Sequence, residues 1–78
     1  MEAIEFEGQS TILAKDQQQY QPLPVHIGTE EDGYPLTACF KLSAEDLAQI
    51  NETGVIWVGQ LTFGKLLQPM RVSTEKPF

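Results

Sequence analysis

The sequence predicts an α+β domain: a small, mostly antiparallel β-sheet made of two hairpins plus an N-terminal strand, with one short α-helix. Three observations predict it. Apolar and other residues alternate in "IEFE" and "LPVHIG", the period of a half-buried strand. Asp32-Gly33 and Gly64-Lys65 sit between extended-type stretches as two-residue turns. Ser43 to Gly54 carries start and stop signals of a helix around a narrow apolar stripe.

Taken in order, Ile4 and Phe6 alternate with Glu5 and Glu7, and Gly8 closes this first strand region, residues 1–8. "STILA", Ser10 to Ala14, is β-branched and apolar and reads as a second short strand. "KDQQQYQP", Lys15 to Pro22, has no apolar period and reads as a loop, with Tyr20 flanked by amides as a candidate loop contact. In "LPVHIG", Leu23, Val25 and Ile27 share a face.

With Asp32-Gly33 at the turn, Val25 meets Phe40, Ile27 meets Ala38 and Leu23 meets Leu42, so the apolar sides coincide. His26 then stands opposite Cys39. Pro35 weakens this register, since it lacks a donor and suits an edge or a longer loop.

The helix is predicted from Ala44 to about Glu52. Ser43 caps it, Asp46 completes a variant capping box, and Leu42 with Leu47 forms a hydrophobic staple. Glu45 and Asp46 in the first turn suit the helix dipole, and Gly54 suits a left-handed C-terminal position.

"VIWVGQLTFGKLLQPMRVS", Val55 to Ser73, follows as the second hairpin. With Gly64-Lys65 as turn, Phe63 faces Leu66, Leu61 faces Gln68, Gly59 faces Met70 and Trp57 faces Val72. One face is then wholly apolar and is expected to be core, with the helix packed on it. The other mixes Ile56, Val58 and Leu67 with polar residues, Pro69 and Arg71. This mixed face, next to a strand that Pro69 keeps at the margin of the sheet, is the candidate interaction surface: Ile56, Val58, Leu67, Pro69 and Arg71. The tail, residues 74–78, is expected to fray, unless Phe78 docks on a neighbour.

Seventy-eight residues make a single domain, residues 1–78, and one this small has a thin stability margin. Of the usual staples, a disulfide and a zinc site are out of reach with one cysteine and one histidine, which leaves self-association. The lone thiol suits a reducing compartment. "MEAIEFEGQS" is no signal peptide, and no stretch approaches a membrane span, so a cytoplasmic protein is expected. A net charge of −6, with five scattered bases, argues against direct binding to nucleic acid.

Chemistry-bearing residues are sparse. A His26–Cys39 pair could activate a thiolate, but no third orienting group or oxyanion-site motif accompanies it, so no catalytic residue is assigned. Glu30-Glu31-Asp32-Gly33 lacks the spaced oxygen ligands of a calcium loop, and Gly59 and Gly64 make no phosphate loop. No cofactor and no metal are expected.

"LAKDQQQYQPLPVH", "ACFKLSAEDLAQI" and above all "TGVIWVGQLTFGKLLQPM" resemble small uncharacterised proteins encoded in phage and prophage genomes. The resemblance covers most of the chain. It implies a phage setting in the host cytoplasm and carries over no catalytic residue. Together these readings predict a non-enzymatic accessory protein that binds a host or phage protein, or itself. The alternative is a homo-oligomer that holds a small, nucleotide-type ligand.

Overall fold

The computed structural model describes residues 1–18, 20–65 and 69–78. Five strands and one helix run in the order β1 (Glu2–Ile4), β2 (Thr11–Leu13), β3 (Leu23–Ile27), β4 (Leu36–Thr37), β5 (Cys39–Lys41) and α1 (Ala44–Thr53). A 3₁₀ turn, Glu30–Asp32, lies between β3 and β4. The strands form two antiparallel sheets, one of β1 and β5, the other in the order β2-β3-β4. The fold is a small α+β one, as the sequence predicts.

β3 is the centre. Thr11 pairs with Val25, Ile12 with Pro24 and Leu13 with Leu23 on one side. On the other, β4 reaches only His26 and Ile27, which leaves a flank open beside Pro24, where a missing N–H is tolerated. Val25 is wholly shielded from solvent and Pro24 is buried. Around them Ile4, Phe6, Ile12, Leu23, Ala38, Cys39 and Leu42 are only half-buried.

The first hairpin departs from the expected register. Asp32-Gly33 is not a two-residue turn. Residues 29–32 coil into the 3₁₀ turn, with Asp32 N donating to Thr29 O at 3.2 Å and Gly33, at φ 82°, donating to Glu30 O at 3.0 Å. Tyr34 N closes the loop on Thr29 O at 2.9 Å. His26 therefore pairs with Thr37 and Ile27 with Leu36.

The pairing has slipped by two residues, which preserves the faces and changes every partner. Pro35 is the physical cause at the base of the loop. Its carbonyl accepts from Gly28 N at 2.8 Å, and its ring lies so close that a Cβ on Gly28 would meet Pro35 Cγ at 2.6 Å.

The expected long strand "LTACFKL" also divides at Ala38. β4 stays with β3, while β5 crosses to β1, pairing Glu2 with Lys41, Ala3 with Phe40 and Ile4 with Cys39. Cys39 thus faces Ile4 and not His26, which corrects the expected His–Cys juxtaposition.

The helix forms as its local signals dictate. Ser43 Oγ accepts from Asp46 N at 3.1 Å, and Ser43 N donates to Asp46 Oδ2 at 2.9 Å. Gly54, at φ 69°, ends it by donating to Ile50 O at 2.7 Å. Yet no residue of α1 is buried, so the expected packing of this helix on a Trp57 core is absent. What ties α1 to the rest is its first turn: the Met1 ammonium lies 2.8 Å from Asp46 Oδ2.

Two outcomes follow from these contacts. The Met1 ammonium, with the Ser43 backbone and side chain, holds the Asp46 carboxyl at about 2, below its ordinary value of 3.8. Because the folded value is depressed, this carboxylate stabilises the fold above about pH 4 and stops doing so as pH falls towards about 2. Asp46→Asn is expected to lower the urea midpoint at neutral pH, with the gap to the parent closing over that window.

Gly28→Ala is expected to cost about 1–3 kcal/mol, the usual range for overpacking. Part of that loss should return in the Gly28→Ala/Pro35→Ala double variant, measured as a coupling energy in denaturant melts.

Candidate functional site

After Gly54 the sequence is rich in β-branched and aromatic residues, yet no strand occurs among the described residues of 55–78. The second hairpin is present only as its turn. Lys65 N donates to Thr62 O at 3.0 Å, with Phe63 at φ 53° and Gly64 at φ 79°. Positive φ at both central positions is the type I′ arrangement, whose twist matches a strand pair. The turn is centred on Phe63-Gly64 and not on Gly64-Lys65. Glycine fits its place at no cost, whereas Phe63 holds a conformation that few non-glycine residues adopt.

The expected partners Leu66 and Gln68, and the candidate contact Leu67, lie outside the described residues. The expected Gly59–Met70 and Trp57–Val72 pairs do not form.

The side chains of this arm do not show the expected core face. Trp57 is 91% exposed, Leu61 79% and Phe63 84%. These odd-numbered residues share a face in an extended chain, the face expected to be core. Ile56 and Val58, expected to be outward, stand at 47% and 56%, close to Val55 at 50% on the expected core face. Pro69 and Arg71, with Met70 and Val72, are exposed as well. Period-two alternation fixes which residues share a face. It does not fix which face meets protein.

The total exposed surface is large for the size of the chain. Its accessible surface is 7218 Å². A folded monomer of 8.7 kDa exposes about 4,700 Å² by the usual scaling, so the excess is about 2,500 Å². The radius of gyration, 14.1 Å, also exceeds the roughly 11.5 Å of a compact domain of this length.

Charge marks the same segment. From Thr53 to Thr74 there is no acidic residue, while Lys65 and Arg71 lie within it, so all eleven acids fall outside. Hydrogen bonding marks it too. Among the described residues, Val55 N donates to Thr53 Oγ1 at 3.4 Å, and no backbone hydrogen bond joins Ile56–Leu61 to any other segment.

A second cluster went unseen in the sequence. The tail does not fray: Phe78 stacks on His26, ring centroids 3.8 Å apart and 9° from parallel. Phe6 lies tilted against the same ring at 6.2 Å, and Lys76 Nζ stands 4.9 Å above it while donating to Glu7 O at 2.8 Å. His26 Nδ1 is 2.8 Å from Gly8 O and so carries a proton, since a carbonyl only accepts. The tail thereby clasps the turn after β1, where Gly8, at φ 96°, lets the Phe78 ring come close.

Elsewhere the surface offers little. Tyr20 is exposed and borders an open depression with Lys15, Asp16, Gln17, Gln18 and Pro22. The acidic residues Glu30, Glu31 and Asp32 lie exposed at the 3₁₀ turn. Among the described residues, no three His, Cys, Asp or Glu side chains gather as metal ligands, and no helix is long and apolar enough to cross a membrane. Comparison with protein-family models, with curated proteins and with solved structures finds no match.

The clasp has a direct readout. A ring stacked at this distance shields its neighbour, so the His26 ring protons are expected upfield in the NMR spectrum of the parent. They should move towards unstructured values in Phe78→Ala. Resonances that stay put would mean that the tail does not hold His26 in solution.

Proposed function

We propose that this chain is a non-enzymatic, protein-binding accessory factor of the phage or prophage type, working in the host cytoplasm by holding a host or phage protein. The observation that carries the reading is the outward face of Trp57, Leu61 and Phe63, an apolar row with two aromatic anchors. Binding surfaces concentrate their energy in such residues, tryptophan above all. The binding surface extends over the exposed Ile56, Val58, Pro69 and Arg71. An arm whose backbone groups lack partners among the described residues suits strand addition by another chain, in which main-chain hydrogen bonds supply affinity.

The resemblance of "TGVIWVGQLTFGKLLQPM" to small phage and prophage proteins supports the setting. The sequence offers no nucleophile with its base and orienting group, and the acidic balance disfavours nucleic acid as the partner.

Trp57 is the sole tryptophan, so its fluorescence reports on this surface alone. Emission is expected to be that of a water-exposed indole in dilute isolated chain, and to shift to the blue when the protein partner is bound. Trp57→Ala should remove the partner from an affinity capture. A partner held equally well by Trp57→Ala and by Phe63→Ala would rule out this face.

A further inference from the structure

We infer that the clasp is a latch: Lys76 and Phe78, seated on the link between β1 and β2, lock the joint between the two sheets. The latch is independent of the protein-binding reading of the Trp57 face.

Topology makes the joint. The chain connects the β1–β5 sheet to the β2-β3-β4 sheet at two places, residues 5–10 between β1 and β2 and the single residue Ala38 between β4 and β5. No ladder crosses from one sheet to the other, although β1 packs near β3. Two bodies joined by short connections move about the few residues that absorb the backbone change.

The two halves of the 5–10 link are held by different parts of the chain. The half next to β2 is fastened to β3. Ser10 N donates to Val25 O at 2.7 Å, Ile27 N donates to Ser10 Oγ at 3.1 Å, and His26 Nδ1 donates to Gly8 O at 2.8 Å. The half next to β1 is fastened by the tail. Lys76 Nζ donates to Glu7 O at 2.8 Å, and the Phe78 ring lies against Phe6. Among the described residues, the hydrogen bonds of Phe6 itself stay inside the link, with Gln9, at 2.9 and 3.3 Å.

The two grips meet ring on ring. His26 belongs to β3 and Phe78 to the tail, and their stack joins what holds one half of the link to what holds the other. Gly8 passes directly beside it: a Cβ there would stand 2.8 Å from Phe78 Cε2. With the tail seated, both halves of the link are tied to β3. With the tail lifted, the half next to β1 keeps its local bonds alone. The β1–β5 sheet then swings against β3 about Gly8 and Ala38, while the β2–β3 ladder stays whole. Such an opening is local and lies below global unfolding.

The test is amide hydrogen exchange of the full chain by NMR under native conditions. A second readout is the rate at which iodoacetamide alkylates Cys39, the sole thiol, half-buried on β5 opposite Ile4. An aromatic contact of this kind changes an opening equilibrium by a factor of roughly 2–10. Phe78→Ala is therefore expected to speed exchange of the β1–β5 amides and alkylation of Cys39 by such a factor, with the β2–β3 amides left at parent rates. Lys76→Met, which removes the bond to Glu7 O and keeps the ring, should give the same pattern, and it decides the question if Phe78→Ala does not fold. Rates that rise by one common factor in both sheets would mean that the tail adds only to global stability. Rates in β1–β5 that stay at those of the parent would mean that the tail is seated without locking the joint. Either result overturns the latch.

Discussion

The burial of β3 is the constraint on which the rest of the structure depends. Val25 is covered because β2 pairs with Leu23, Pro24 and Val25 on one side, while β1 packs near the strand from the other sheet. Every other element is placed by how it reaches this strand. β4 follows it through the Gly28–Pro35 contact, and β5 leaves it at Ala38 to take β1 as partner. The tail returns to it through His26. α1 does not reach it with a buried side chain and is held by its cap and the Met1 ammonium instead. Among the described residues Val25 and Pro24 are buried, and around them lies a wide margin of half-covered side chains. That is the ordinary consequence of surface-to-volume scaling in a small chain, taken here to an extreme.

Legibility in the sequence tracked the range of the interaction. The α1 cap was readable to the residue because Ser43, Asp46 and Gly54 act within one turn of their targets. The first hairpin was readable in its faces and not in its partners. Alternation determines the faces, whereas the loop determines the register, and Pro35 against Gly28 makes that loop longer than the Asp-Gly signal implies. The β1–β5 pair and the Phe78 clasp were not readable at all. They join positions far apart along the chain, down to the Lys76–Glu7 bond between its two ends, and no local pattern announces them.

The Trp57 arm shows a different limit. Its alternation, turn glycine and composition all state that one face is to be covered, and each gram of that pattern is as consistent with a partner as with a core. Burying a side chain of this size is worth about 1.5–3 kcal/mol wherever the covering atoms come from. Sequence reasoning assigned the cover to this chain's own helix. With α1 holding no buried residue, that cover is missing, and the arm exposes what it was patterned to hide.

The acidity of the chain is distributed unevenly along the sequence. An exposed apolar arm with an unpaired β-prone backbone is a hazard, since any similar edge can add to it. Glu52 and Glu75 stand just beyond the two ends of the acid-free stretch in the sequence, and the other nine acids all precede Glu52. Lys65 and Arg71 are the charges inside the stretch, and they give it a sign opposite to that of the chain as a whole. What such a surface gains from its charges weakens with salt, and what it gains from burying Trp57, Leu61 and Phe63 does not, since screening acts on exposed charges and not on apolar burial.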